Sequence, residues 1–364
     1  MKEFLFILGR DEDLSYLELL AYLESRNFSY SSLERKQSVV LAHLDDSFDY
    51  QQAINDLGGT IKIGMSQHIG KIYTDFNPLT FTTSDSFLYT VTGYDEDISL
   101  FCAYLKSYFK QEGVKALYKP RGFIPKRFKE EMVEFMLFKE RIFTVVAVFD
   151  PKAYKQRDLG RPHNDFLRNI SIRLAKIMIN LSGIKKGQTL LDPFCGVGVI
   201  LQEAGLMGCS VMGIDKDATM VNYSYANLRW LAQKAPFTYK TVKGDASSLH
   251  AYVNSVDVIV TEPDLGPYWK KIPKEHEAIT TVRYLELLYT SFLRSARKIL
   301  KKNGRIVMIV PILKTEVTKK IRINFESILS STGFKKVNLS KDINIPYFYK
   351  KKGSKIDREI WVLQ

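Results

Sequence analysis

Apolar positions along the chain switch repeatedly between two-residue and helical spacing. Phe4 to Leu8 is an apolar run closed by Gly9, and Leu14, Leu17, Leu20 and Ala21 then recur at helical spacing. Ser38 to Leu44 predicts a strand, Phe48 to Leu57 a helix stopped by Gly58-Gly59, and Ile61 to Ile69 another strand. This strand-helix-strand-helix-strand order suits a small α/β unit with helices on one face. A second small unit follows. Phe87 to Thr92 predicts a strand, Leu100, Tyr104 and Tyr108 mark an aromatic-rich helix, and Val114 to Tyr118 and Ile142 to Phe149 predict two more strands.

Pro151 to Asn169 is polar and turn-rich and is read as a linker. Beyond it a helix carries Ile170, Leu174, Ile177, Met178 and Leu181 on one face. Strands at Thr189 to Leu191, Val211 to Ile214, Thr238 to Val242, Val256 to Val260, Ile306 to Val310 and Glu359 to Leu363 follow. Helices at Val199 to Met207, at Ala218 to Leu231 and in a long stretch ending at Leu300 separate them. Continuous apolar strands alternating with helices predict a doubly wound parallel sheet covered on both faces.

Length and composition narrow this picture. The 364 residues suggest two domains or so, and 45% hydrophobic with 26% charged residues is ordinary for a globular protein. No apolar run nears the roughly 18 residues that span a bilayer. The N-terminal MKEFLFILGRDEDL reads as a first strand, since acids follow its short apolar stretch at once. Cys102, Cys195 and Cys209 stand far apart with no histidine cluster, which argues against a disulfide framework or a metal site and makes the cytoplasm the default compartment. The net charge of +13, from 53 basic and 40 acidic side chains, suits a polyanionic partner. Between the strands of the second small unit, Lys119, Arg121, Lys126, Arg127 and Lys129 are interleaved with rings and no acid, a pattern that suits RNA phosphates and bases.

Ligands of doubly wound sheets sit at the carboxyl ends of the strands, near the point where the strand order reverses. After the first C-terminal strand comes Asp192-Pro193-Phe194-Cys195-Gly196-Val197-Gly198, whose glycines let backbone approach a ligand and enter the next helix. The third glycine of a dinucleotide fingerprint is missing. Asp192 suits a ligand with a positive centre, such as a sulfonium with its amino group. Asp215, followed by Lys216, ends the second strand and is placed for ribose hydroxyls; Asp245, beside Ala246, ends the third and can reach an adenine amino group. Three acids on three successive strand ends form the constellation expected for S-adenosylmethionine (SAM).

After the fourth strand comes Thr261-Glu262-Pro263-Asp264-Leu265-Gly266-Pro267-Tyr268. The exocyclic amine of a purine is a poor nucleophile because its lone pair is delocalised into the ring. An acidic side chain and the carbonyl of the following proline can accept its two hydrogens and align the lone pair for in-line attack. Glu262 and Pro263 meet that need, with Asp264 beside them.

DPFCGVGVILQEA resembles the SAM-binding motif of the N6/N2 amino methyltransferases, and RDLGRPHNDFLRNISIRLAKIMINL resembles the segment before it in THUMP-domain tRNA methyltransferases. The family most similar is that of the tRNA guanosine-10 N2-methyltransferases of archaea and eukaryotes, with bacterial relatives. FLFILGRDEDLSYLELLAYL and LGGTIKIG resemble that family's N-terminal ferredoxin-like domain. The resemblance implies a class I Rossmann-like SAM methyltransferase domain over 170–364. It also implies a linker over 151–169, a THUMP-like RNA-binding domain over 76–150 and a ferredoxin-like domain over 1–75. It places Asp192, Phe194, Gly196 and Gly198 on the SAM loop, Asp215 and Asp245 at ribose and adenine, and Glu262 and Pro263 on the catalytic turn. It implies a tRNA partner; a monomer is expected, with a helper subunit left open. One departure stands out: Asp264 and Leu265 replace the family's second proline (or tyrosine) and aromatic, so Tyr268 or Trp269 must supply any stacking ring. An adenine N6-methyltransferase on DNA or another RNA, and a catalytically weakened RNA-binding protein with a SAM fold, are the alternative readings. His163 is read as a turn residue, Cys195 as a small side chain that fits, and Lys350 to Lys352 with Lys355 as a solvated run.

Overall fold

Strand burial divides the chain into two sheets, each with its own core. A computed structural model describes residues 1–70, 73, 76–80, 82, 86–120, 132–165, 169–317, 319–350 and 353–364. Of the basic positions in the second small unit, Arg121, Lys126, Arg127 and Lys129 lie outside the described residues, as do Lys351 and Lys352.

Two compact units emerge. The first comprises Met1–Glu12, Phe28–Asn55 and Thr60–Phe149. In chain order the N-terminal elements are β1 (Lys2–Leu8), α1 (Glu12–Ser25), β2 (Tyr30–Lys36), β3 (Val39–Leu44), α2 (Tyr50–Asp56), β4 (Thr60–Ile69), β5 (Ser86–Gly93), α3 (Ser99–Gln111), β6 (Lys115–Tyr118), β7 (Met132–Phe138) and β8 (Arg141–Val148). The strands form one eight-stranded sheet in the order β2-β3-β1-β4-β8-β7-β5-β6. Pairing is antiparallel except where β5 lies parallel to β6 and β7. β2, with the polar sequence YSSLERK, is an edge strand largely exposed to water, so no apolar alternation announces it. β7 is apolar almost throughout because it is covered on both faces, a pattern that periodicity alone cannot separate from a helix. In α3 the buried residues are Phe101, Leu105 and Phe109, one position on from the expected stripe, while Leu100 is exposed.

The second unit comprises Asp13–Asn27, Asp56–Gly59 and Asp150–Gln364. Its C-terminal elements are α4 (Pro151–Gly160), α5 (Ile172–Leu181), β9 (Thr189–Asp192), α6 (Val199–Leu206), β10 (Ser210–Asp215), α7 (Ala218–Ala232), β11 (Tyr239–Lys243), β12 (Val258–Thr261), α8 (Glu275–Ile299), β13 (Ile306–Lys314), β14 (Lys320–Arg322), α9 (Phe325–Thr332), β15 (Tyr347–Tyr349) and β16 (Ile356–Leu363). The sheet order is β11-β10-β9-β12-β13-β16-β15, with β14 paired to β13. Strands β9 to β13 run parallel, as the apolar runs predict, but β16 is antiparallel to β13 and β15. The sheet is therefore mixed rather than wholly parallel: the chain returns through β15 and inserts its last strand in the reverse sense. The strand order reverses between β9 and β12, which puts the crevice for a ligand at their carboxyl ends.

Residues 151–160, expected to be a linker, form helix α4. It has no apolar face and buries no residue, so periodicity could not reveal it. Asp150 caps it by accepting from Lys152 N–H at 2.8 Å, and Pro151 opens it. Arg157 then makes a two-pronged pair with Glu203 of α6, at 3.2 and 3.1 Å, and Glu203 is 2% exposed on its side chain.

Inside this unit α1 and α5 share a buried polar junction. Glu18 is fully buried, and its two carboxylate oxygens accept from Gly58 N–H and Gly59 N–H, both at 2.7 Å; Asn180 Nδ2 also donates to Oε1 at 2.8 Å. The glycines are required by proximity: a Cβ on Gly58 would lie 2.2 Å from the Arg173 carbonyl, and one on Gly59 would lie 2.5 Å from Ser15 Oγ. Burial pushes the Glu18 carboxyl up to about 7, although these hydrogen bonds oppose it. The folded state thus holds the proton more tightly than the unfolded chain. Stability falls as pH rises from about 4.5 to about 7, by about 3 kcal/mol from this group, and levels off above. Chemical denaturation of wild type and Glu18→Gln across that range tests this. The wild type loses that much stability relative to the variant with rising pH, and a constant difference between them contradicts the assignment.

Candidate functional site

The carboxyl ends of β9, β10 and β12 open into a cleft of about 1200 Å³. Asp192, Phe194, Cys195, Gly196, Asp215, Lys216, Asp245, Ala246, Glu262, Pro263 and Asp264 all line it, together with Pro193. Gly198 is not among the lining residues.

Asp192 ends β9, is 2% exposed, and accepts from Phe194 N–H at 3.2 Å. Burial pushes its carboxyl up to about 7, and the nearby Asp215 and Glu262 carboxylates add to the effect. A buried anion this reluctant to ionise is a ready partner for a cation. Asp215 holds the turn from the next strand end: Gly196 N–H donates to Oδ2 and Asp217 N–H to Oδ1, each at 2.9 Å. Its carboxylate is thus oriented by backbone, and each oxygen keeps a second lone pair for hydroxyl donors. Asp245 accepts from Ser247 N–H at 2.8 Å, and hydrogen bonds from Ser247 hold its carboxyl below the usual range.

The two glycines of the turn serve different ends. Gly196 has φ +48° and open space where a Cβ would stand, so the backbone itself faces the cleft. Gly198, at φ +82°, begins α6; a Cβ there would lie 2.5 Å from Ser224 Oγ of α7, so its need is helix packing. Cys195 is buried and its thiol is pushed well above the ordinary range, which suits packing rather than chemistry. His163 stacks on Tyr223, with ring centroids 4.0 Å apart. Its backbone N–H donates to Asn227 Oδ1 at 2.9 Å, and Asn227 Nδ2 donates in turn to the backbone carbonyls of His163 and Val197. The histidine therefore braces the glycine turn through Asn227.

The turn after β12 is held from helix α8 and strand β16. Asp264 Oδ1 accepts from Gly266 N–H at 2.9 Å, Oδ2 accepts from the Tyr284 hydroxyl at 3.3 Å, and its carbonyl accepts from the Tyr289 hydroxyl at 2.7 Å. The residue that departs from the expected motif is engaged in fixing its own turn. Glu262 Oε1 accepts from Arg358 Nε at 3.1 Å, and both side chains are 13% exposed. Tyr268 and Trp269 both line the cleft, with Tyr268 58% exposed; Lys355, expected in a solvated run, lines it too, and its Nζ donates to the Trp269 carbonyl at 2.7 Å. Sequence reading missed Arg358, Tyr284, Tyr289 and Asn227, whose partners lie 96, 20, 25 and 64 residues away. The strand expected over Glu359 to Leu363 stopped one residue short of Arg358, which belongs to β16.

The residues fit SAM: a buried carboxylate for a positive centre, a backbone-oriented carboxylate at a second strand end, a third at the next, and an open glycine between them. Residues 164–339 match the family described as RMKL-like, methyltransferase domain. Among similar proteins is the tRNA (guanine(10)-N2)-dimethyltransferase of Methanothermobacter thermautotrophicus, 37% identical over 169 residues, which is 46% of this chain and 46% of that protein. The probable enzyme of the same name from Methanothermococcus thermolithotrophicus is 43% identical over 98 residues, 26% of this chain and 60% of that protein. The match spans about half the length of these relatives. The crystal structure of TrmN from Thermus thermophilus superposes with a TM-score of 0.53 at 16% identity, covering 100% of this chain and 99% of that one, a likeness of fold. Residues 164–339 thus resemble the methyltransferase domain of the RMKL-like family, and the cleft they line carries the acids and glycines that suit S-adenosylmethionine.

Proposed function

We propose that this chain methylates the exocyclic N2 amine of a guanine in tRNA, at a guanosine-10 type position. The observation that carries the reading is Glu262-Pro263 standing at the end of β12 in the same cleft as Asp192, Gly196 and Asp215. The printed names of the relatives above, which specify guanine N2 in tRNA, support the choice of base and polymer. Bound SAM supplies an electrophilic methyl group on a sulfonium. Asp192 faces its positive end, Asp215 its ribose, and Asp245 with Ala246 its adenine, while Pro193, Phe194, Cys195 and Lys216 wall the site. Glu262 and the Pro263 carbonyl accept the two amine hydrogens, turning the nitrogen lone pair out of the ring system and toward the methyl. The Glu262 carboxylate then holds the proton that the methylated nitrogen sheds.

The N-terminal half serves as the grip on tRNA. The order β4-β1-β3-β2, all antiparallel and joined as β-α-β-β-α-β, supports a ferredoxin-like reading of residues 1–75. Residues 76–150 are read as THUMP-like, 151–169 as the connection containing α4, and 170–364 as the methyltransferase domain. The net charge of +13 supports a polyanionic partner, with the basic cluster from Lys119 to Lys129 as its contact. A cytoplasmic monomer suits this work. Among the described residues no helix is long and apolar enough to cross a membrane.

Incubation with labelled SAM and unmodified total tRNA, followed by nucleoside mass spectrometry, tests the reading. N2-methylguanosine is expected; N6-methyladenosine, or SAM binding without transfer, overturns it. Glu262→Ala lowers turnover by about 100-fold or more while SAM affinity changes little; equal loss of both removes Glu262 from the chemistry. Asp215→Ala weakens SAM binding by about 10-fold or more, and unchanged affinity would show that the ribose end lies elsewhere. A cation binds the ionised form of Asp192, whose carboxyl titrates at about 7 in the free protein, so SAM affinity falls as pH drops below about 7. Calorimetry on wild type and Asp192→Asn between about pH 5.5 and 7 separates this from the ligand's own titration. The variant binds weakly and lacks the difference, and parallel pH curves contradict the assignment.

A further inference from the structure

The Glu262 carboxylate carries a cation that methyl transfer does not require. Arg358 donates to it from β16 at 3.1 Å, and Arg358 is itself aimed, since Nη1 donates to Ser354 Oγ at 3.3 Å. Its backbone is fixed between Pro311 of β13 and Tyr349 of β15 in the sheet register. Both members of the pair line the cleft and both are 13% exposed on their side chains. A guanidinium near an amine that is gaining positive charge is electrostatically adverse to the reaction. Its presence therefore calls for a role other than electrostatic help to the transfer.

Base chemistry supplies one. A side-chain amide at the catalytic position offers one acceptor and one donor, whereas a carboxylate offers acceptors only. The N2 amine of guanine is flanked by N1–H, a second donor on the same edge. The N6 amine of adenine is flanked by N1 and N7, both acceptors. An oriented carboxylate thus meets two donors on guanine and a lone pair on adenine. Leaving a site built for a donor to face an acceptor rejects the wrong base strongly. The requirement is that the carboxylate be held in one orientation; the single hydrogen bond from Arg358 Nε to Oε1, with Nη1 anchored on Ser354 Oγ, supplies that constraint and leaves Oε2 and a second lone pair of Oε1 to accept.

We propose that Arg358 is a specificity-determining positioning residue: it holds Glu262 as a two-oxygen acceptor that selects guanine, through N1–H and N2–H together, over adenine. The Pro263 carbonyl takes the remaining amine hydrogen. This inference rests on the guanine-N2 reading above and names the pair that reads the base.

The test begins by mapping the methylated guanosine in unmodified tRNA treated with the wild-type protein. That guanosine is then replaced by 2-aminopurine, which keeps the N2 amine but turns N1 into an acceptor. kcat and KM are measured on both tRNAs, and SAM affinity by calorimetry, for wild type, Arg358→Ala, Arg358→Gln and Arg358→Lys. Wild type prefers guanine over 2-aminopurine by about 100-fold or more. Arg358→Ala lowers kcat on guanine by about 10- to 100-fold, leaves SAM affinity within about 2-fold, and shrinks the base preference by at least about 10-fold. Arg358→Lys restores part of the preference. Arg358→Met, which cannot donate, is measured in the same way and carries the test if Arg358→Ala does not fold; Arg358→Gln, which keeps a donor at the Nε position, retains more of the preference than either. An unmoved preference in Arg358→Ala or Arg358→Met, whatever happens to the rate, overturns the proposal. N2-methylguanosine from wild type with that unmoved preference leaves the guanine-N2 reading standing; N6-methyladenosine, or no transfer from wild type, overturns both.

Discussion

Carboxylates crowded at the carboxyl ends of parallel strands are the constraint around which the C-terminal unit is organised. Asp192, Asp215, Asp245, Glu262 and Asp264 line one cleft, and like charges so close in a partly buried space repel. The protein answers each differently. Asp192 is buried to the point where neutrality is competitive, so it takes up charge most readily when a cation arrives. Asp245 and Asp264 are tied to backbone N–H groups of their own turns, and Asp215 to those of its own turn and of the glycine turn. Glu262 is paired with a guanidinium from a different strand. The result is a cleft rich in negative charge whose members cannot swing away from where a cationic donor and an amine acceptor would meet.

This arrangement depends on the reversal of strand order between β9 and β12, which splays the loops apart and leaves room between them. It depends equally on the reversed strand β16. A wholly parallel sheet would deliver its last strand with the carboxyl end at the cleft and Arg358 elsewhere. Running antiparallel to β13, β16 brings its amino-terminal half to the cleft, and Arg358 with it. Helix α8 contributes from the other side, with Tyr284 and Tyr289 clamping the turn at Asp264. The departure from the family's motif at Asp264 is thereby accommodated: a carboxylate replaces a rigid proline, and two tyrosine hydroxyls supply the rigidity.

Much of this was legible along the chain. The strands β1, β3, β9, β10, β12 and β13 could be read because burial on both faces demands apolar runs, β4 from its alternation, and the cofactor loop because a strand end, an acid and two glycines lie within a few residues. Elements with weak apolar signatures were not legible. β2 is an exposed edge, α4 buries no residue, and β14 and β15 are only three residues long. Gly198 was read as allowing ligand approach and entry into the next helix; its tight packing against Ser224 is a further need that only the neighbouring helix reveals.

Local order in the sequence, then, determined the class of fold, the cofactor loop and the acids at the strand ends, because each follows from consecutive residues under one periodicity. Tertiary structure alone decided how those acids are tamed. The partner of Glu262 lies 96 residues downstream, and the clamp on Asp264 comes from 20 and 25 residues away. Electrostatic partnership is set by distance in space, and the sense in which β16 enters the sheet, which no side-chain pattern records, fixes that distance.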